Sequence, residues 1–266
     1  MPEGDTIFRI AAKLAPRLTG KPLERVTTQG LVRDLAGRVV SSVTAHGKHL
    51  VIELADGTHL RAHLGMYGRF RAYARADGDA ALGKLSPGRA SLAITVADGV
   101  FVWVGARTIE ISDRRAPRHG MALASLGPDI LAPDFDAAAV AASASPSRTV
   151  ADVLLDQRVS AGIGNVYKSE TCFLCGIDPR SRAGAVDLPA LFACARSLML
   201  ENLGSGPRTT AAPAELAGLV PDDARYFVYG RTARPCRRCA TPIDCYRLGD
   251  PPRWTWSCPR CQARVD

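Results

Sequence analysis

The sequence contains no apolar run that approaches about 18 residues, so no membrane-spanning helix is expected. Its opening, MPEGDT, has no basic head, no apolar core and no small-residue cleavage site, so no targeting signal is expected there. Without a secretory signal, a disulfide framework for the eight cysteines is not expected, and metal binding is favoured. These absences predict a cytoplasmic protein without a membrane partner.

Positive charge is what the sequence has in excess. The 266 residues carry a net charge of +8, and residues 225–266 hold nine arginines against three aspartates. Because most of the excess lies in the last sixth of the chain, it favours a localised surface for an anionic partner, with nucleic acid first. The hydrophobic content of 47% allows a substantial core, and the length suggests two domains.

The first part of the chain has the pattern of one helix followed by strands. Residues 5–19 repeat apolar side chains at helical spacing, with Asp5 or Thr6 as the expected cap and Gly20 as the expected end. Alternating residues from 23 to about 111 flank two ADG turns, which predict hairpins. Several short strands at this spacing predict a β-sandwich or barrel.

The rest of the chain divides into a helical part and a cysteine-rich end. Residues 131–147 are rich in Ala, Ser and Pro and predict a domain boundary, and residues 150–203 have helical patterns. Residues 204–224 are rich in Gly, Pro, Ala and Thr and predict a mobile loop. We therefore expect an α+β multidomain protein with domains at 1–130, 131–224 and 225–266.

The last domain contains two CxxC pairs separated by 18 residues: Cys236 and Cys239, then Cys258 and Cys261. Four thiolates at this spacing make a tetrahedral zinc site, and they leave no open position for catalysis. One structural zinc ion per chain is therefore expected. Cys172 and Cys175 lie in an apolar helical stretch, where core packing is favoured over metal binding.

Three further features have both a chemical and a structural interpretation. In DQRVSAGIGNVYKSE, Asn165 follows a glycine-rich turn at a helix start, a pattern that suits either an anion site or a plain connection between helices. Lys48, in AHGKHL, is either a solvated strand end or a chemical group that faces the same cleft as the chain start. Arg253, on the hairpin predicted by GDPPRWTWSC, either binds phosphate or is an ordinary solvated arginine.

Together these segments resemble the formamidopyrimidine-DNA glycosylase/endonuclease VIII family of base-excision repair enzymes. The resemblance covers nearly the whole chain and rests on the order and spacing of PEG at 2–4, GKHL at 47–50, HLGMYG at 63–68, LGPDIL at 126–131, LLDQRVSAGIGNVYKSE at 154–170, VYGR at 228–231 and the CxxC pairs that end with Gln262. The PEGD opening is similar to the bacterial, actinobacterial-type endonuclease VIII branch. The resemblance implies an N-terminal β-sandwich with flanking helices, a helix-two-turns-helix domain and a C-terminal zinc finger.

The resemblance also implies the reaction. Pro2, freed by removal of Met1, is the implied nucleophile, and Glu3 is the implied general acid or base. Lys48 is implied to assist β-elimination, and Arg253 to hold the lesion phosphate and to act in δ-elimination. The implied enzyme is a DNA glycosylase and AP lyase that acts as a monomer on damaged DNA, in the cytoplasm at the nucleoid.

Other residues are implied to hold the DNA. Asn165 and His63 match phosphate contacts, and Met66 with Tyr67 matches the wedge that fills the gap left by a flipped base. The glycines around Met66 and Tyr67 favour an exposed loop over core packing. The segment DRRAPRHG, residues 113–120, has no aromatic residue for a further wedge, so a relaxed requirement for duplex DNA is expected.

Three functions stay open at this point. The first is excision of oxidised pyrimidines, and the second is the same chemistry on oxidised purines. The third is a non-catalytic, zinc-containing DNA-binding protein, which would need neither a free Pro2 nor Glu3 and Lys48.

Overall fold

The computed structural model describes residues 2–86, 88–112, 123–213, 218, 221 and 224–266. It divides into two compact units, Met1–Ala124 and Ser125–Asp266, which are described in turn. The division into three domains stays a prediction. Within the described ranges, no helix is long and apolar enough to cross a membrane.

The first unit begins with helix α1, Gly4–Leu18. The backbone N–H of Thr6 donates to the carbonyl of Glu3 at 3.0 Å, so Glu3 is the N-cap. The prediction that Asp5 or Thr6 caps the helix is wrong, because both residues already lie in its first turn. The helix ends before Gly20, which has a φ of +80°, as predicted.

In the described part of this unit, nine strands form two antiparallel sheets. Their bounds are β1 Arg25–Thr28, β2 Leu31–Arg33, β3 Val40–His46, β4 His49–Leu54, β5 His59–His63, β6 Arg69–Ala74, β7 Ala90–Val96, β8 Gly99–Val104 and β9 Thr108–Ser112. One sheet has the order β2–β1–β7–β8–β6, and the other has the order β3–β4–β5–β9. Both ADG turns join paired strands, β4 to β5 and β7 to β8, as predicted.

One apolar core joins α1 to both sheets, which confirms the predicted β-sandwich. Its fully buried side chains come from the helix and from each sheet, and include Ile7, Leu14, Leu18, Leu50, Ile52, Ile94, Phe101 and Trp103. Removing this apolar surface from water is the main stabilising contribution to such a unit. Helix α1 packs on β3 and β4, so the core fixes the helix start relative to that hairpin.

Helix α2, Arg75–Gly83, interrupts the region predicted to hold only strands. A Cβ on Gly78 would lie 2.3 Å from Cβ of Val100, so this contact needs the glycine. Arg75 also pairs with Asp79 one turn later, at 2.9 Å. The segment has no apolar stripe at helical spacing, and it forms a helix because it packs on β6, β7 and β8.

The described part of the second unit contains the helices α3 Ala137–Ser143, α4 Val150–Leu155, α5 Asn165–Leu174 and α6 Leu188–Glu201. Three of them begin at a side chain that accepts a backbone N–H of the first turn: Asp136, Thr149 and Asp187. Helix α3 lies inside the stretch that was predicted only as a boundary. The helices at 150–203 agree with the prediction, and Cys172 is fully buried in their core.

The cysteine-rich end forms a hairpin of β10, Asp244–Leu248, and β11, Arg253–Ser257. The strands pair from Leu248 opposite Arg253 to Asp244 opposite Ser257, as GDPPRWTWSC predicts. Helix α5 packs on β11, and a small apolar core joins Phe173 of this helix to Cys236 and Cys258. The hairpin is therefore fixed to the helix that starts at Asn165.

Candidate nucleic-acid interface and metal centre

The start of the chain places a buried carboxylate directly after Pro2. Glu3 is fully buried at the N-cap of α1, whereas Pro2 is partly exposed. A carboxylate at this end of a helix interacts favourably with the helix dipole. Met1 lies outside the described residues. With Met1 removed, Pro2 becomes a secondary amine beside a shielded carboxylate.

Lys48 lies in the tight turn between β3 and β4. Gly47, with a φ of +55°, and Lys48 connect His46 to His49, which are paired across the two strands. Lys48 is half-buried, and its charge is close enough to His63 to help lower the pKa of that imidazole. The structure therefore brings two of the predicted site residues, Lys48 and His63, together.

Hydrogen-bond donors fix which nitrogen carries the proton in His49 and His63. Nη1 of Arg61 is 2.8 Å from Nδ1 of His49, and the backbone N–H of Gly65 donates to Nδ1 of His63 at 3.1 Å. Because both partners only donate, each Nδ1 accepts, and the proton of the neutral ring lies on Nε2. Burial, and then nearby positive groups, lower the pKa of His49 to about 3 and that of His63 to about 4. His63 therefore offers a neutral Nε2–H donor, which suits a phosphate oxygen.

Arg61 and His49 support this arrangement, and the motif search missed both of them. The guanidinium of Arg61 pairs with Glu110 at 2.6 Å and is largely buried, and the rings of His49 and His63 lie 4.8 Å apart. The ADG hairpin contains the signal that would have found them. Its register sets His49 opposite His63 and Val51 opposite Arg61.

Met66 and Tyr67 lie in an exposed loop after β5, as the flanking glycines predict. Their exposed fractions are 46% and 84%, which excludes core packing. A Cβ on Gly68 would lie 2.2 Å from the carbonyl oxygen of Leu64, so the loop can close only with glycine there. Gly65 has a φ of +68°, which also favours glycine. The role of this loop as a wedge stays a prediction.

In the second unit, Asn165 contacts the strand that begins with Arg253. Nδ2 of Asn165 donates to the carbonyl of Trp254 at 2.8 Å. Nζ of Lys168 donates to Oδ1 of Asn165 at 2.8 Å and to Oγ1 of Thr255 at 2.7 Å. Arg253 is exposed, next to Trp254 in the chain. The structure therefore places Asn165 next to the strand that begins with Arg253, and Lys168 bridges the two. The sequence analysis did not identify this buried lysine.

Glu170 anchors the VYGR segment, and the sequence analysis did not assign it a role. Its fully buried carboxylate accepts the backbone N–H groups of Phe227, Val228 and Tyr229 at 2.7–2.9 Å. The hydroxyl of Thr210 donates to it as well. Burial raises the pKa of this carboxyl, and the four donors oppose that effect.

The four predicted metal ligands form one cluster. The Sγ atoms of Cys236, Cys239, Cys258 and Cys261 all lie within 4.8 Å of one another. Two of the Sγ–Sγ distances are 3.8 and 3.5 Å, close to the roughly 3.8 Å expected between thiolates at about 2.3 Å from a tetrahedral zinc ion. Oε1 of Gln262 accepts the backbone N–H of Cys258 at 2.7 Å, which holds the second CxxC turn. The cluster fits a closed four-thiolate metal site.

Two predicted features cannot be compared with the structure over their full length: the 204–224 loop and the further wedge segment at 113–120. Residues 113–120, 214–217, 219–220 and 222–223 lie outside the described residues. The mobility of the 204–224 loop stays a prediction, and the start of this loop has defined contacts. Its buried Thr209 exchanges two 2.8 Å hydrogen bonds with the side chain of Asn202, which follows α6.

Two family models match the chain. Residues 1–110 match the formamidopyrimidine-DNA glycosylase N-terminal domain, and residues 126–203 match the formamidopyrimidine-DNA glycosylase H2TH domain. Together these matches cover well over half of the sequence.

Curated relatives match along nearly their whole length. The chain is 37% identical to a Mycolicibacterium smegmatis protein named DNA-(apurinic or apyrimidinic site) lyase Nei2, over 98% of this chain and 99% of that protein. It is 37% identical to the probable endonuclease 8 2 of Streptomyces coelicolor, over 99% and 94%. It is 31% identical to the formamidopyrimidine-DNA glycosylase of Paracoccus denitrificans, over 98% and 100%.

Solved structures share the fold. The chain is similar to Lactococcus lactis Fpg in a complex with DNA that contains an abasic site, with a TM-score of 0.78 and 22% identity. The match covers 99% of this chain and 100% of that one. The β-sandwich, the helical part and the cysteine-rich hairpin therefore belong to one known architecture.

Proposed function

The chain belongs to the formamidopyrimidine-DNA glycosylase/endonuclease VIII family, and from this premise we propose that it is a bifunctional DNA glycosylase and AP lyase of base-excision repair. The observation that carries the proposal is the chain start, where a partly exposed Pro2 precedes a buried Glu3 at a helix N-cap. A binding protein would need neither feature. The names of the 37% identical relatives support the lyase activity and the endonuclease VIII branch.

Pro2 is the proposed nucleophile. A free α-amine has a pKa of about 8, so a useful fraction is uncharged at neutral pH. Its nitrogen attacks C1′ of the damaged nucleotide and expels the base, with Glu3 moving protons at the sugar. The amine loses its proton, the C1′–O4′ bond then breaks with Glu3 protonating O4′, and because Pro2 is a secondary amine the ring-opened product is an iminium ion with a fixed positive charge. That charge acidifies the C2′ proton, and elimination then releases first the 3′ and then the 5′ phosphate.

Lys48 and His63 are the proposed partners of this chemistry in the first unit. A Lys48 ammonium lowers the free energy of a developing phosphate leaving group, and His63 donates from its neutral Nε2–H to a phosphate oxygen. Met66 and Tyr67 are the proposed wedge, which their exposure supports. In the second unit, Asn165 and Arg253 are the proposed phosphate contacts, and Arg253 is the residue proposed to act in δ-elimination.

One structural zinc ion per chain is the proposed occupant of the four-cysteine cluster. The donor set is soft, tetrahedral in its spacing and closed, so the ion would hold the hairpin of Arg253 and take no part in bond breaking. Atomic absorption on the purified chain should find one zinc ion per chain, and a chain that is folded without zinc would contradict the assignment.

The proposed substrates are oxidised pyrimidines in DNA, in duplex or in single strands, and the proposed location is the cytoplasm, at the nucleoid. The two 37% identical relatives, against 31% for the formamidopyrimidine-DNA glycosylase, support the endonuclease VIII branch, which is the basis for proposing pyrimidines. The only wedge residues singled out among the described positions are Met66 and Tyr67, which supports a relaxed need for a paired strand.

Borohydride trapping tests these proposals in one experiment. Oligonucleotides with thymine glycol, 8-oxoguanine or an abasic site are compared, each as duplex and as single strand. The protein is used with a free Pro2 and with one extra residue before Pro2. We expect a covalent adduct only with the free form, and a stronger one on thymine glycol than on 8-oxoguanine.

Each other outcome changes one part of the proposal. A stronger adduct on 8-oxoguanine would select purines. An adduct that forms on duplex DNA but not on single strands would contradict the relaxed need for duplex. DNA binding without any adduct, from a chain whose intact mass shows Met1 removed, would leave a zinc-containing binding protein.

A further inference from the structure

Lys168 is a fully buried lysine on α5 that the proposed reaction does not use. A buried ammonium loses its hydration, and this cost is recovered only where acceptors replace the water. Nζ of Lys168 donates to Oδ1 of Asn165 at 2.8 Å, to Oγ1 of Thr255 at 2.7 Å and to the carbonyl of Trp254 at 3.3 Å. Two of these acceptors lie on the strand that Arg253 begins, and the third is the proposed phosphate ligand itself.

These contacts also decide how the Asn165 amide is turned. An ammonium only donates, so the atom that faces Lys168 must be the amide oxygen. Nδ2 then faces outward from Lys168, and one of its N–H groups donates to the carbonyl of Trp254 at 2.8 Å. Among the described residues the second N–H of Nδ2 has no acceptor. An amide turned the other way would set its N–H groups against the ammonium.

We propose that Lys168 is a positioning residue for phosphate binding: it orients the Asn165 amide with an N–H toward the DNA and ties the Arg253 strand to the start of α5. This inference rests on the proposed function, which assigns Asn165 and Arg253 to the lesion phosphates. Lys168 itself touches no DNA, because its side chain is closed off from solvent. Its effect on binding passes through Asn165.

The test compares Lys168→Met with Ser169→Ala as a matched control on the same helix. Ser169 is also fully buried, and its Oγ has no hydrogen-bond partner in the described part of the chain. DNA with a tetrahydrofuran abasic analogue is the probe, so binding is measured without chemistry. We expect K168M to weaken binding about tenfold, the loss of one hydrogen bond to a charged phosphate, and S169A to change it little.

Salt dependence separates positioning from direct contact. Binding weakens as salt rises, and each cation that contacts a phosphate makes the fall of log K with log salt steeper by about 0.9. Because Lys168 is buried and Asn165 is neutral, the slope for K168M should equal that of the wild type. If the slope for K168M is shallower than that of the wild type by about 0.9, Lys168 contacts phosphate and the inference is wrong.

A double-mutant cycle with Asn165→Ala completes the test. If Lys168 acts through Asn165, the double variant should bind about as weakly as N165A alone. Additive losses of about a hundredfold would overturn the inference. Zinc content and thermal unfolding show whether K168M folds. If it does not, Thr255→Val is the substitute, because it removes one acceptor of Nζ and is also expected to weaken binding. Unchanged binding by T255V would then contradict the inference.

The outcomes also separate this inference from the proposed function. A wild type that binds the probe but never forms the borohydride adduct removes the proposed function. A wild type that forms the adduct, with K168M equal to S169A in affinity, removes only the role of Lys168.

Discussion

At the scale of single residues, neighbours decide the charge of the two central histidines. An ordinary histidine has a pKa of about 6.5 and is partly charged in the cell. Burial has the largest effect and lowers the pKa of His49 to about 3 and that of His63 to about 4, and nearby positive groups, among them Arg61 and Lys48, act in the same direction. Both rings therefore stay neutral across the physiological range, and His63 binds phosphate as a hydrogen-bond donor without a positive charge.

This leads to a prediction for pH. Imidazole nitrogen NMR should show His49 and His63 as neutral Nε2–H tautomers at pH 6, whereas the urea-unfolded chain titrates near pH 6.5. Because the unfolded state binds more protons between about pH 6.5 and 3, where His49 titrates last, the contribution of these two rings to the free energy of unfolding falls as the pH drops through that window and levels off below it. A charged His63 at pH 6, or stability independent of pH over this window, would contradict the assigned tautomers.

At the scale of elements, one carboxylate joins α5 to a segment more than 50 residues later. Glu170 accepts the N–H groups of residues 227–229, so these backbone donors are satisfied without a strand or a helix. The segment leads directly into the first CxxC turn. We infer that Glu170 supports the hairpin of Arg253 indirectly, through this segment, whereas Lys168 contacts the hairpin strand itself.

Glu170→Gln should therefore lower the free energy of unfolding by about 2–4 kcal/mol, because an amide NH₂ would face backbone donors that need an acceptor. The matched control is Thr210→Val, which removes one donor to the same carboxylate and should cost about 1 kcal/mol. Urea unfolding measures both changes. Equal stability of E170Q and the wild type would show that Glu170 is not the anchor of this segment.

Elements with local signals were predictable, and contacts between distant segments were not. The periodicity of α1, the ADG turns and the CxxC spacing each determine a structure from neighbouring residues. Helix α2 lacks such a signal, because it depends on Gly78 meeting Val100. Lys168 and Glu170 look like ordinary helix-surface residues in the sequence. Apart from Asn165, their acceptors and donors lie 40 to 87 residues away in the chain, so only the fold shows that they are buried.

At the scale of the whole molecule, the positive charge is partly used inside the fold. Of the nine arginines in residues 225–266, at least seven interact with other groups of the protein: Arg225, Arg231, Arg234, Arg237, Arg238, Arg247 and Arg264. Arg238, for example, lies over the ring of Phe173 at 4.6 Å. The composition alone therefore overstates the number of phosphates that this end of the chain can neutralise.

The salt dependence of DNA binding should reflect this division. Arg253 is exposed at the start of β11, so Arg253→Met should reduce the slope of log K against log salt by about 0.9, the value for one phosphate contact. Arg264 already pairs with Asp266 at 3.0 Å, so Arg264→Met, which removes the same formal charge, should leave the slope nearly unchanged. Titration of the tetrahydrofuran probe at several salt concentrations measures both. Equal slopes for the two variants would mean that net charge alone, and not the placement of Arg253 on its hairpin, governs the electrostatic part of binding.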